Sequence, residues 1–145
     1  MDPVDAAFKK KVEAWCQVLL TDKIQHQAPF YVGNPLGLTR DQLPQAAAYL
    51  DSLRISHELV SGSKDMGVPE AGKASWSTLL SDLEAFQKYE TAAISGGKAS
   101  DLVAWTTQAS AAEHSRDAVL YDLIVAGLGG RGPCPDLFAR GSYHG

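Results

Sequence analysis

No segment of this chain approaches the roughly 18 consecutive apolar residues that a bilayer-spanning helix needs. Its opening, MDPVDAAFKKK, is acidic and then basic with no apolar stretch behind it, so no signal peptide is expected in it. An excess of one charge is missing too: 13 Lys and Arg stand against 17 Asp and Glu, a formal net charge of −4. The basic residues are scattered apart from Lys9, Lys10 and Lys11. A nucleic-acid interface needs a basic stripe, so that class is set aside.

Cysteine is scarce, and its placement is informative. The two cysteines, Cys16 and Cys134, lie near opposite ends of the chain, the second in the Pro-braced stretch GRGPCPDLF. Such a loop is a poor home for a core thiol, so a Cys16–Cys134 disulfide tying the tail to the first helix is expected. That bond implies an oxidising compartment, hence an extracytoplasmic or secreted protein whose leader has been removed. Two free thiols would instead place the protein in the cytoplasm.

Catalytic motifs are also absent. There is no C-x-x-C-H for covalent haem and no G-x-S-x-G elbow. The four histidines are dispersed, and a zinc site wants several His or Cys at close spacing, so no metal is expected. His57-Glu58 and Glu113-His114 are adjacent pairs, not the Glu-x-x-His spacing of a di-iron bundle. GLGGRG follows a helix rather than a strand, so it reads as a helix terminator and not a phosphate loop. Non-covalent haem through His57 or His114 stays open as the one cofactor to test.

What is present is helical periodicity. The 145 residues fit one domain, 1–145, with 45% hydrophobic and 21% charged residues. Val4, Phe8, Val12, Trp15 and Leu19 recur at steps of four and three, which predicts a first helix from about Pro3, capped by Asp2, to about Gln27. APFYVGNPLGL, with two Pro and two Gly, must be a loop. A second helix begins near TRDQLP, carries Leu43, Ala46, Leu50, Leu53, His57 and Val60 on one stripe, and ends at Gly62. A third carries Trp76, Leu79, Leu80, Leu83 and Phe86 and stops at Gly96-Gly97. Ser100 caps a fourth, with Leu102, Trp105, Ala109, Ala112, Arg116, Val119 and Leu123, ending near Gly127. Trp15, Leu50, Leu83 and Trp105 are expected in core layers. Four helices with fairly short links predict an all-α, up-down-up-down antiparallel four-helix bundle, with the Gly/Pro-rich tail 127–145 ordered against it.

One stretch of the fourth helix breaks the pattern. SAAEHSRDAV puts Glu113, His114, Arg116 and Asp117 on two turns among small and apolar neighbours. Arg116 and His57 both fall at otherwise apolar seam positions, at similar depths along parallel diagonal helices. Glu113 sits one turn before Arg116, the spacing of an ion pair. These three residues, with Trp105 as an apolar wall, form a candidate ligand-binding pocket between helices. The bland alternative is a solvated rim, with Arg116 snorkelling and His57 bonded to a carbonyl.

The expected function is accordingly a non-enzymatic small-molecule-binding or protein-interaction module. The rival is a small helical enzyme with His57 or Glu113 as general acid/base and Arg116 holding an anionic substrate. A third reading is a structural subunit that buries its surface in a homodimer.

Overall fold

Asp5 starts the first helix. Its carboxylate accepts the backbone N–H of Phe8, three residues on, at 2.7 Å, which is the geometry of an N-cap, and α1 (Ala6–Gln25) follows. The helix therefore begins three residues later than a cap at Asp2 predicts. Asp5 wins because its other oxygen also accepts the N–H groups of Glu70 and Ala71, at 2.9 and 3.4 Å. The bond from Phe8, with those from Ala71 and Glu70, holds the Asp5 carboxyl below its usual range.

The computed structural model describes residues 1–25, 47–96 and 102–138. Four long helices and one short one make up the element order: α1, α2 (Ala47–Met66), α3 (Lys73–Gly96), α4 (Leu102–Val125) and α5 (Pro133–Leu137). No strand occurs among the described residues. The loop APFYVGNPLGL and the expected caps around Thr39 and Ser100 lie outside them, as does the end of the tail beyond Phe138. The side chains of Leu50 and Trp105, both expected in core layers, lie outside the described set as well.

Gly62 does not end the second helix, which runs on to Met66 and stops at Gly67, whose φ is +82°. Gly62 has a different task. A Cβ there would meet Nε1 and Cε2 of Trp15 at 2.6 and 2.8 Å, so glycine is what lets the indole lie against α2. Trp15 is accordingly only partly buried, while its neighbour Cys16 takes the fully buried position on α1. The end of α4 follows the expected rule. Gly127, at φ +82°, donates to Ile124 O, and Leu128 donates to Leu123 O at 2.8 Å. These two bonds are the Schellman pattern.

Helix ends are stitched together at one pole. Val4 N–H donates to Ala126 O and Asp5 N–H to Ala71 O, both at 3.0 Å. The start of α1, the α2–α3 connection and the end of α4 therefore meet. Phe8 and Trp76 pack edge to face there, centroids 4.8 Å apart, a favourable aromatic arrangement. Val12, Leu19, Ile55, Leu59, Leu79, Leu83, Phe86, Val119 and Leu123 continue one buried apolar cluster along the helices.

The tail completes that cluster. Cys16 and Cys134 form a disulfide with Cα atoms 5.0 Å apart, across 118 residues of sequence. It pins α5 on α1, and Leu137 and Phe138 are fully buried beside it. Phe138 also meets Phe86 of α3, ring centroids 6.0 Å apart. Pro133 and Pro135 pre-set the backbone of a five-residue helix that would be marginal alone. The tail up to Phe138 is thus part of the core.

Candidate functional site

The buried face of α2 is made by Ile55, Ser56, Leu59 and Ser63, with Val60 and Met66 packed at its edge. His57 is on the other side and is exposed. This corrects the expected seam, which ran through His57: the helix is rotated by about one residue, or roughly 100°. Two buried serines hide the true stripe from hydropathy. The close seat of Trp15 on Gly62 turns that face toward α1.

On α4 the seam runs through Ala112, Val119, Leu123 and Ala126, all buried. Arg116 occupies the same line, four residues after Ala112 and three before Val119. Its side chain is only 13% exposed, and one terminal guanidinium nitrogen lies 3.3 Å from a carboxylate oxygen of Glu113, itself 18% exposed. The same nitrogen lies 3.8 Å from Asp117, a solvent-facing residue. One guanidinium against two carboxylates leaves this corner net negative, which disfavours an anionic ligand. Meanwhile Nε of Arg116 is buried with no hydrogen-bond partner. His114 is exposed. The structure thus brings Glu113 and Arg116 together and leaves His57 apart from them.

Among the other buried polar atoms with no hydrogen-bond partner are Nε1 of Trp15, Oγ of Ser56 and Nε2 of Gln87. Gln87 can be placed relative to Arg116. Ser75 and Thr78 at the start of α3 share a cleft with Tyr121, Asp122 and Val125 at the end of α4, so the two helices run oppositely. Asp82 faces Asp122 across them. Counting up from that pair, Gln87 is five residues away and Arg116 six, or about 7.5 and 9 Å at 1.5 Å per residue. Their unpaired N–H groups therefore sit at one depth. Leaving such donors unsatisfied costs about 1–3 kcal/mol each, which an acceptor at that depth would relieve.

The Asp82–Asp122 pair is a second polar feature, outside the site residues expected from the sequence. Asp122 is 8% exposed. Desolvation first, then the hydrogen bond and the negative charge of Asp82, push its carboxyl up from 3.8 to about 7. Asp122 thus keeps its proton to about pH 7 beside the Asp82 carboxylate. A signal for this is present in the sequence: Asp122 follows Val119 by three residues and precedes Ala126 by four, on the apolar face of α4. No group of three or more metal-binding side chains occurs among the described residues.

Fold and site together define an all-α, disulfide-tied helical protein with two buried polar features on α4. No family model, no curated protein and no solved structure matches the chain.

Proposed function

We propose that the protein is a non-enzymatic binding module of an oxidising, extracytoplasmic compartment, with its ligand seat beside Arg116. Its frame is the up-down-up-down antiparallel four-helix bundle, with the tail strapped to α1 as a fifth element. The carrying observation is the Nε–H of Arg116: a donor inside the bundle, on a guanidinium whose charge Glu113 and Asp117 already meet. Nε2 of Gln87 adds a second free donor at the same depth. Two donors without acceptors, in a corner that is already net negative, favour a small neutral ligand carrying a carbonyl or similar acceptor. The enzyme reading with His57 as general acid/base loses support, because His57 lies apart from Arg116 and the Arg116 charge is met by Glu113 and Asp117. The disulfide supports the compartment, since such bonds persist where thiols are oxidised.

A ligand-detected NMR screen of small amides, lactones and ketones tests this reading. Hits are expected that weaken at least about tenfold in Gln87→Leu, the loss of one buried hydrogen bond to the ligand. A screen with no hits, or hits indifferent to Gln87→Leu and Arg116→Met, would overturn it.

A further inference from the structure

The cleft between the start of α3 and the end of α4 has a volume of about 150 Å³ and is lined by Met1, Ser75, Thr78, Tyr121, Asp122 and Val125. That volume equals about five water molecules at roughly 30 Å³ each, so it fits a ligand group of about five non-hydrogen atoms. Its walls are largely apolar, and Tyr121 is 66% exposed. Asp122 is its one acidic lining residue.

Nothing in the cleft satisfies Asp122. It is more than nine-tenths buried, and its Oδ2 is buried without a hydrogen-bond partner. The hydroxyl of Ser75 is committed to the carbonyl oxygens of Asp2 and Gly72. That of Thr78 is committed to Ala74 O. Across the helix interface, Asp82 adds negative charge and no cation. Among the described residues no cationic side chain pairs with Asp122.

We propose that this cleft binds a primary alkylammonium group, from a free small amine or a lysine side chain, with the Asp122 and Asp82 carboxylates as its counter-charge. An ammonium brings donors to Oδ2 of Asp122, the carboxyl oxygen that has no partner. Its alkyl chain suits the walls of Val125 and Met1, and the Tyr121 ring adds a face that attracts cations. A hard metal cation is a poorer match, because it wants six or more oxygen ligands and gains nothing from apolar walls.

Binding and protonation compete. Asp122 keeps its proton up to about pH 7, and the ammonium takes that proton's place. Asp82 faces Asp122 from α3, and Tyr121 lies beside it on α4 itself. Asp82 is the one that perturbs Asp122. Affinity is therefore full above about pH 7 and falls about tenfold per pH unit below it. Near pH 6 each bound amine releases about one proton.

The test is a ¹⁵N-edited NMR titration of the intact, oxidised chain with n-butylammonium chloride at constant ionic strength. Calorimetry in two buffers of different ionisation enthalpy counts the protons. Saturable shifts around Ser75, Tyr121 and Asp122, strengthening from pH 6 to pH 8 and absent with n-butanol, are the expected result. Asp122→Asn should weaken binding at least tenfold, and Asp82→Asn serves where the first variant does not fold. Binding of Nα-acetyl-lysine methylamide as well identifies a lysine side chain as admissible, while butylammonium alone points to a free amine; either outcome supports the site. Absence of saturation, equal binding of n-butanol, or unchanged affinity in both variants overturns it.

Discussion

Replacing Asp122 with asparagine should make the protein more stable at pH 8 and flatten its stability between pH 5 and pH 8. The folded chain holds the Asp122 proton up to about pH 7, against 3.8 for the free side chain. A carboxyl raised in this way contributes its stabilisation below 3.8 and loses it as pH rises through about 7, because the folded state must then ionise a buried acid beside Asp82. At about 1.36 kcal/mol per pH unit the whole interval corresponds to an upper bound of about 4 kcal/mol. Water entering the cleft screens the pair, so the expected loss from pH 5 to pH 8 is on the order of 2 kcal/mol. For a chain of this size that is a fall of about 4–8 °C in melting temperature. Asp5 does not confuse the result. Its carboxyl is lowered, so its contribution is present above 3.8 and lost as pH falls further, outside this window. The amide that Asp122→Asn introduces can donate an N–H to the Asp82 carboxylate at any pH, which removes the dependence. Urea unfolding followed by far-UV circular dichroism at each pH measures the slope. A wild-type stability that rises from pH 5 to pH 8, or an Asp122→Asn variant with the wild-type slope, refutes the reasoning.

Reducing Cys16–Cys134 reopens a loop of 118 residues, which the chain-entropy model values at about 4–5 kcal/mol; a large drop in melting temperature on reduction is expected, and two thiols freely alkylated in unreduced protein would remove the bond. A double-mutant cycle with Glu113→Gln and Arg116→Met should show coupling above about 1 kcal/mol, since both side chains are mostly buried and the single change strands the guanidinium; additive losses below that level would move the pair to solvent. Gly62→Ala should destabilise the protein despite the roughly 1 kcal/mol that alanine gains in a helix, because its Cβ would meet the Trp15 indole at 2.6 Å. An alanine variant with a raised urea midpoint would show that the indole can move away.

The periodic elements are readable because burial on a helix repeats at 3.6 residues, and most of the buried residues of α1 and α3 are apolar side chains on that period. Val4, Phe8, Val12 and Leu19 are buried as a single stripe, and so are Trp76, Leu79, Leu83 and Phe86. The second helix misleads for the same physical reason. Its core face is carried partly by Ser56 and Ser63, and a hydropathy reading assigns serine to the surface. His57 is thereby drawn onto the seam. Its Gly62 reads as a stop because mid-helix glycine is costly, yet that cost is offset by the indole that only glycine admits. The helix start at Asp5 escapes a sequence reading because two of its three partners, Glu70 and Ala71, lie some 65 residues away, beyond any local capping rule.

The polar features divide along the same line. Glu113 and Arg116 are one turn apart on one helix, so their pairing is a local property that spacing can express. Asp82 and Asp122 are 40 residues apart in the numbering, on two helices, and only the register of α3 against α4 brings them together. An acid on an apolar stripe is nonetheless a visible anomaly. Such a group either finds a cation, keeps a proton or waits for a ligand, because an ionised carboxylate cannot stay buried alone. Asp122 has found no cation among the described residues and lines an open cleft. It keeps a proton to about pH 7. Those three facts together leave the carboxyl poised to exchange that proton for a cation near neutral pH, which is why the apolar walls around it matter more than the charge alone.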